Sequence, residues 1–321
     1  MNKMSTTTTT TITRDDLDKG HPKISIVTPS FNQGKYIEET IESVINQNYD
    51  NLEYIIIDGN SSDGTQDIIK KYDKYLSYWI SEPDNGQYHA INKGFSKSSG
   101  EIMAWINSDD KYTPWALSVV AEIFSTFPEI EWLTTGYGLL WDQSGRAVFC
   151  RHRNGYNRQA FFKGAYLAGT NRYNRGFIQQ ESTFWRRSLW EKAGSQIDSN
   201  LRMAGDFELW SKFFQHSELY VVNTPLAGFR SHDEQKTANQ MKTYIKEAED
   251  ILKRSGKTYP YSNLENSVRT MLFQILGNRS ISKNALPSWF AYAIQILHVF
   301  YSVKQCVWSS TGWKIHEAYI A

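Results

Sequence analysis

Gly100-Glu-Ile-Met-Ala-Trp-Ile-Asn-Ser-Asp-Asp-Lys111 is the stretch that decides the fold of this 321-residue chain. Ile102 to Ile106 is a short apolar run, opened by a glycine and closed by polar residues. That suits a buried strand of a parallel sheet better than a helix of the same length. Asp109 and Asp110 follow where the strand ends, and open α/β sheets bind their ligands outside the carboxyl ends of the strands. Adjacent carboxylates repel unless something cationic neutralises them. A hard divalent cation bridging them to a diphosphate is the simplest such partner, because Mg²⁺ takes one or two carboxylates plus phosphate oxygens. The competing reading is an acidic cap before the helix that starts near Pro114.

The chain on either side repeats one unit. Lys23 to Thr28 alternates into an apolar strand broken by Pro29-Ser30-Phe31-Asn32, and Ile37, Ile41, Val44 and Ile45 follow at helical spacing. Leu52 to Ile57 reads as a strand covered on both faces. It ends in Asp58-Gly59, and the turn Asn60 to Thr65 leads into a helix marked by Ile68, Ile69 and Tyr72. Tyr78 to Ser81 is a third strand, with Glu82-Pro83-Asp84-Asn85-Gly86 and a helix through Ala90, Ile91 and Phe95 behind it. After the organising strand, Thr113 is placed to cap a helix with Pro114 at its first position, its stripe being Leu117, Val120, Ile123, Phe124 and Phe127. Strands alternating with helices predict a mostly parallel sheet with helices on both faces. Right-handed crossovers bring Thr28, Asp58, Asp84 and Asp109 to one edge.

Beyond Thr135 the pattern changes. Leu139 to Trp141 and Ala147 to Cys150 flank Asp142-Gln143-Ser144-Gly145 as a hairpin. From Arg146 to Arg187 the chain has eight arginines and one lysine against one acid, Glu181. The spread is either ordinary loop surface or a wall that attracts an anionic acceptor or steadies a phosphate leaving group. Ser188 to Ala193 and Ala204 to Phe214 read as helices, the second carrying Asp206 and Glu208 near its start. Leu219 to Asn223 and Leu226 to Arg230 read as strands, closed by Ser231-His232-Asp233.

The rest reads as helical, through Ala238 to Leu252 and then Leu264 to Leu276. Pro287 to Val303 is the most apolar segment. As a helix it would span ~26 Å at ~1.5 Å per residue, short of the ~30 Å hydrocarbon core, and Gln295 and His298 interrupt it. It is either an interfacial helix, with Trp289, Tyr292, Tyr301, Trp308 and Trp313 at a membrane surface, or one docked on the protein's own core. Residues 1–21, with the Thr6 to Thr11 run and no apolar signal-peptide core, read as a disordered tail. A net charge of +1 argues against a nucleic-acid binder, and two cysteines, Cys150 and Cys306, indicate neither a disulfide framework nor a cysteine metal site. Aromatic richness suits sugar stacking and core packing equally.

Thr28-Pro29-Ser30-Phe31-Asn32, then Asp58 to Thr65, then Asn107-Ser108-Asp109-Asp110, with Gln179 to Phe184 and Asp206-Phe207-Glu208-Leu209-Trp210 downstream, resemble the family 2 glycosyltransferases of GT-A fold. The segment Glu82 to Tyr88, continued by Asn92-Lys93-Gly94, is similar to the bacterial polysaccharide and O-antigen branch. The resemblance covers residues 22–235, leaving 236–321 as a helical C-terminal extension, possible at a membrane. It implies an α/β domain with a mostly parallel nucleotide-binding sheet, a nucleotide-diphosphate sugar donor, and a glycan or lipid-linked acceptor. It implies Mg²⁺ or Mn²⁺ as cofactor and a cytoplasmic protein, peripheral at the inner membrane face. Thr28, Pro29, Asn32 and Asp58 would hold the nucleoside, and Asp84, Asn92, Lys93, Asn107, Ser108 and Asp109 the rest of the donor. The family's Asp-any-Asp position is Asn107-Ser108-Asp109 here, which moves metal binding onto Asp109 and Asp110, with His232 in Arg230-Ser231-His232 as a further ligand. Asp206 matches the general base of an inverting transfer, with Glu208 second because it points elsewhere on a helix. Nucleotidyl transfer would leave Asp206 and the arginines without a role. A glycan- or nucleotide-binding module without turnover is the rival that the Asn107 departure favours.

Overall fold

The computed structural model describes residues 21–167, 176–233, 235–256, 281–282 and 301–320. The expected tail through residue 20, the helix expected through Leu264 to Leu276, the stretch 287–300, and Arg172 and Arg175 lie outside the described residues.

The first half follows the expected alternation: β1 (Ile24–Ser30), α1 (Ile37–Ile45), β2 (Leu52–Asp58), α2 (Thr65–Lys71), β3 (Tyr78–Ser81), α3 (Gln87–Lys97) and β4 (Ile102–Trp105). β1 pairs in parallel with β2 on one side and β4 on the other, setting Ser30 opposite Asp58 and Val27 opposite Trp105. Successive strand residues point to opposite faces, and both faces are packed. Ile24, Ile26, Ile56, Ile102 and Ala104 join one core, and Val27, Ile55, Ile57, Met103 and Trp105 join the other. This explains the unbroken apolar runs.

The second half holds β5 (Lys111–Tyr112), α4 (Ala116–Thr126), β6 (Trp132–Thr135), β7 (Tyr137–Trp141), β8 (Ala147–His152), α5 (Arg158–Phe162), β9 (Phe184–Arg186), α6 (Arg187–Lys192), α7 (Gly205–His216), β10 (Tyr220–Val222), β11 (Ala227–Arg230) and α8 (Lys236–Arg254). Three further strands are β12 (Ile281–Ser282), β13 (Tyr301–Ser309) and β14 (Gly312–Ile320). The main sheet runs β12-β14-β13-β10-β6-β9-β4-β1-β2-β3, and a second sheet runs β5-β11-β7-β8. β9 enters antiparallel between β4 and β6. α4 begins two residues later than Pro114, because Thr113 donates its hydroxyl to the Pro225 and Leu226 carbonyls rather than capping a helix. Trp105, Trp132, Trp185 and Trp210 close the core behind the site, with the Trp105 and Trp210 rings stacked 6.0 Å apart.

The expectation of an all-helical C-terminal part is corrected for residues 301–320. They form a hairpin whose first strand runs parallel to β10 and widens the main sheet. Tyr301, Val303 and Cys306 are buried along it, and Trp308 faces Trp313 across the turn with ring centroids 5.3 Å apart. The two-residue link Ser310-Thr311 and Gly312, whose φ of 107° only glycine adopts readily, make the turn. An apolar tally across Pro287 to Val303 hides this, because the strand's signal is the alternation that starts at Tyr301. Among the described residues no helix is long and apolar enough to cross a membrane.

Candidate active site

A cavity of about 800 Å³ opens at the carboxyl ends of β1 and β4, between the main sheet, the second sheet and α7. At one end its wall includes Pro29, Phe31, Gly59 and Asp84. Gly59 is needed there: a Cβ would lie 2.9 Å from Asp84 Oδ2 and 3.3 Å from the Phe31 ring. Asp58 lies beneath this wall and not in it. Fully buried, it accepts the Ser61 N–H at 2.9 Å, the Ser61 hydroxyl at 2.5 Å and the Ser81 hydroxyl at 2.6 Å. It therefore shapes the loop on which a ligand would rest. Thr28 is also buried, with its hydroxyl 3.1 Å from that of Tyr54. Asn32 adopts φ 52° and ties two loops together, accepting the Ser62 N–H at 3.0 Å while its own N–H reaches Ser61 Oγ at 2.7 Å. Asn92 and Lys93 sit outside the cavity wall: Asn92 holds Ile197 from both sides of its amide, and Lys93 pairs with Glu82.

In the middle of the wall, Asn107, Ser108 and Asp109 face the cavity. Asn107 accepts from Gln87 Nε2 at 2.7 Å, and its Nδ2 donates to Asp110 Oδ2 and Gln180 Oε1, each at 3.2 Å. An aspartate has no proton to give there and would set carboxylate against carboxylate, so the departure at Asn107 has a structural reason. Asp110, expected as a metal ligand, turns inward. It is buried, its Oδ1 accepts the Arg230 N–H at 2.9 Å, and burial, reinforced by Asp109 and Glu181, pushes its carboxyl well above the ordinary range. Arg230 is the counterpart clamp: Nε donates to the Asp109 carbonyl at 2.6 Å, one Nη reaches the Gln143 carbonyl at 3.2 Å and the other binds Glu39.

Asp109 Oδ2 lies 3.1 Å from His232 Nε2, and the His232 ring packs on Tyr36 with centroids 4.5 Å apart. Among the described residues no group of three or more His, Cys, Asp or Glu side chains is arranged to hold a metal. Asp109 lines the cavity and the buried His232 imidazole stands against it, a donor pair that would suit a Mg²⁺ or Mn²⁺ ion keeping waters and drawing further oxygens from a diphosphate. Asp110, turned toward Arg230, is not part of the cavity wall.

The far end is formed by Asp206, Glu181, Tyr88, Phe177, Arg202 and Tyr244. Asp206 opens onto the cavity from the first turn of α7 but is enclosed by protein on its other sides, and burial pushes its carboxyl up to about 7 although the Phe207 N–H donates to it at 2.7 Å. Gly205 beside it leaves room for Tyr88, whose ring would lie 2.4 Å from a Cβ. Glu208 points away from the cavity, to Lys212 Nζ at 2.6 Å. Glu181 was met in the sequence only as the lone acid among arginines. It is buried in the cavity wall, its Oε1 has no partner, and burial, with the Asp206 charge adding, pushes it up to about 7. The sequence signal for it is that single acid inside Gln179 to Phe184.

An open, mostly parallel sheet with Asp109 beyond the end of a central strand and a cavity beside it is the arrangement in which α/β proteins of this type hold a ligand. Residues 25–138 match the model of Glycosyl transferase family 2. An uncharacterized glycosyltransferase of Rickettsia typhi is 27% identical over 227 residues, covering 70% of this chain and 69% of that protein. TuaG of Bacillus subtilis, named for teichuronic acid biosynthesis, is 35% identical over 122 residues, 37% of this chain and 48% of that one. Among solved structures, TarS 1-349 of S. aureus in complex with UDP-GlcNAc superposes with a TM-score of 0.56 at 16% identity, over 80% of this chain and 72% of that one. PcManGT, a mannosyltransferase from Pyrobaculum calidifontis in complex with GDP-Man and Mn²⁺, gives 0.52 at 16% identity, over 88% and 80%. The chain is thus similar to the family 2 glycosyltransferases over residues 25–138 and has the GT-A type of fold.

Proposed function

We propose that this protein moves a sugar from a nucleoside-diphosphate sugar to a hydroxyl of a glycan or lipid-linked acceptor, with inversion at the anomeric carbon. The observation that carries the reading is the Asp206 carboxyl, opening onto the cavity that Asp84 and Asp109 also line, with its pKa near neutrality. In the proposed step Asp206 takes the acceptor's hydroxyl proton while that oxygen attacks the anomeric carbon from the face opposite the diphosphate. The bond to the diphosphate breaks with its electron pair, and single displacement inverts the centre, as in inverting hydrolysis with a hydroxyl in place of water. A Mg²⁺ or Mn²⁺ ion between Asp109 and His232 would neutralise the departing diphosphate. Asp84, Asn107 and Ser108 border the donor, while Thr28, Asn32 and Asp58 support it from below. The solved relatives bound to UDP-GlcNAc and GDP-Man support a nucleotide sugar as donor.

The wall-polymer name of TuaG supports a role in cell-envelope polysaccharide synthesis, performed in the cytoplasm with peripheral contact to the inner membrane face. Sedimentation with liposomes tests the last clause. A module without turnover loses its motive, since Asn107 has a structural role of its own.

The test compares wild type with Asp206→Asn. Thermal shifts with UDP, GDP, dTDP and CDP, each with and without Mn²⁺, should match in both proteins and single out one base. Release of that diphosphate from its sugar donor should fall at least ~10²-fold in the variant. Equal release by both proteins removes Asp206 from the mechanism.

A further inference from the structure

We propose that the wall of the cavity near Asp206 carries an oxyanion subsite made by Arg151, Arg153 and Arg202, so that the acceptor bears a phosphate or carboxylate close to its reacting hydroxyl. This rests on the transferase reading above and deepens it by naming the acceptor's chemistry.

β8 is the edge strand of the second sheet. Its residues alternate between two faces, so Phe149 and Arg151 share one; Arg153 follows just beyond the strand, and all three line the cavity. Arg153 is set firmly: its N–H donates to the Gly136 carbonyl, and its guanidinium lies against Gly176, where a Cβ would come within 2.1 Å of Nη2. Arg202 lines the cavity from another wall, just before α7, with its N–H bonded to Glu247 at 2.9 Å. Among the described residues no carboxylate forms an ion pair with Arg151 or Arg202. Burial lowers the pKa of Arg153, and the neighbouring charge of Arg151 acts in the same direction. Like charges gathered in a cavity wall are relieved by an anion, and the guanidinium fork matches phosphate and carboxylate oxygens in pairs. Phe149, 56% exposed on the same face, offers a flat apolar surface to a sugar ring.

The position separates these arginines from the donor diphosphate. Arg230, just before His232, lies opposite Trp141 of β7, whereas Arg151 lies opposite Gly138 on the other side of β7. Two strand spacings of ~4.8 Å across and three residues of ~3.3 Å along put the two backbones roughly 14 Å apart. Gly138 in turn packs on Gln179, where a Cβ would meet Oε1 at 3.1 Å, and Gln179 is two residues from Glu181. The arginines thus belong with the Glu181 and Asp206 end.

The test uses the full chain, saturated with the nucleoside diphosphate that the thermal-shift screen identifies. Calorimetric titration with glucose 6-phosphate, glucuronate and glucose compares phosphate, carboxylate and neutral probes. At least one anionic probe should bind ~10-fold or more tightly than glucose, and that margin should vanish in Arg151→Ala and in Arg202→Ala, with nucleotide affinity unchanged. The preferred anion identifies whether phosphate or carboxylate is the natural group. Equal binding of all three probes overturns the proposal, as does a fall in nucleotide affinity in the arginine variants, which would assign them to the donor. If no nucleoside diphosphate binds, the transferase reading fails by itself, and the probe series on the free protein decides the subsite separately.

Discussion

The Glu247 carboxylate accepts the backbone N–H of Ala204 at 3.0 Å, and the N–H groups of Arg202 and Met203 at 2.9 Å each. Ala204 precedes α7 and has no side chain able to cap it, so α8 supplies the acceptor from 43 residues away. The start of α7 carries Asp206, which makes a residue outside 22–235 a support of the proposed base. Glu247→Ala should lower stability by about 1–2 kcal/mol and turnover by roughly tenfold, as Asp206 loses its fixed position. Glu247→Gln, which keeps one acceptor oxygen, should restore part of both. Thermal unfolding and steady-state kinetics check this; lost stability with unchanged turnover would make α8 a brace only.

Asp206 should impose an acid limb on kcat/KM. A base must be unprotonated, and burial raises this carboxyl to about 7, so activity should rise through about pH 7 and not through the ordinary carboxylate range. Its effect on stability has the opposite sense. With the folded pKa above the unfolded one, the folded protein binds the extra proton between them, so stability falls as pH rises through that window. Asp206→Asn removes this cost and should melt no lower than wild type at pH 8 while losing turnover. Glu181→Gln should leave the limb in place, because burial and not the Glu181 charge raises Asp206. A pH–rate profile of the three proteins, with melting curves at pH 5 and 8, tests both signs.

What could be read from the sequence was local in the chain. β1 to β4 are short apolar runs, each followed at once by its own turn residues, and Asp109 and Asp206 sit in contiguous motifs. β9 was not legible: Phe184-Trp185-Arg186 is three residues long and passes directly into α6 without a turn signal. Asn107's partner Gln180 lies 73 residues away, so that bond could not be inferred from spacing. The resemblance implies Thr28 and Asp58 as nucleoside contacts, but neither motif nor register says whether such a side chain points into the cavity or under it. Asp110 shows the same gap, since it lies in the turn after β4 and its direction is set by the Arg230 N–H, 120 residues away.

Asp109 and Asp110 should therefore fail in different ways when each is changed to Asn. Asp109→Asn should leave the fold intact and removes the charge of the cavity carboxylate beside His232, so Mn²⁺-dependent stabilisation by the bound nucleoside diphosphate should fall by at least ~10-fold in affinity. Asp110→Asn sets an amide where two donors, Asn107 Nδ2 and the Arg230 N–H, need acceptors. It should lower the melting temperature of the ligand-free protein, with a cost on the order of 1–3 kcal/mol. Metal-dependent nucleotide binding measured beside ligand-free melting separates the two, and identical behaviour would restore Asp110 as a direct ligand.

Arg230→Lys tests the clamp behind this pair. The guanidinium is 2% exposed and spans the Asp109 carbonyl, the Gln143 carbonyl and Glu39, while stacking at 5.2 Å on the Tyr36 ring that also carries His232. A lysine keeps the charge but cannot reach three directions in one plane. Losing those bonds at a buried site should cost about 3 kcal/mol. Glu39→Gln, at a side chain 44% exposed, should cost well under ~1 kcal/mol. Because the same guanidinium holds the Asp109 backbone, Arg230→Lys should also weaken Mn²⁺-dependent nucleotide binding, whereas Glu39→Gln should leave it nearly unchanged. Chemical denaturation with nucleotide titration on both variants reads this, and equal losses in the two would mean that the ion pair, not the fork, positions Asp109.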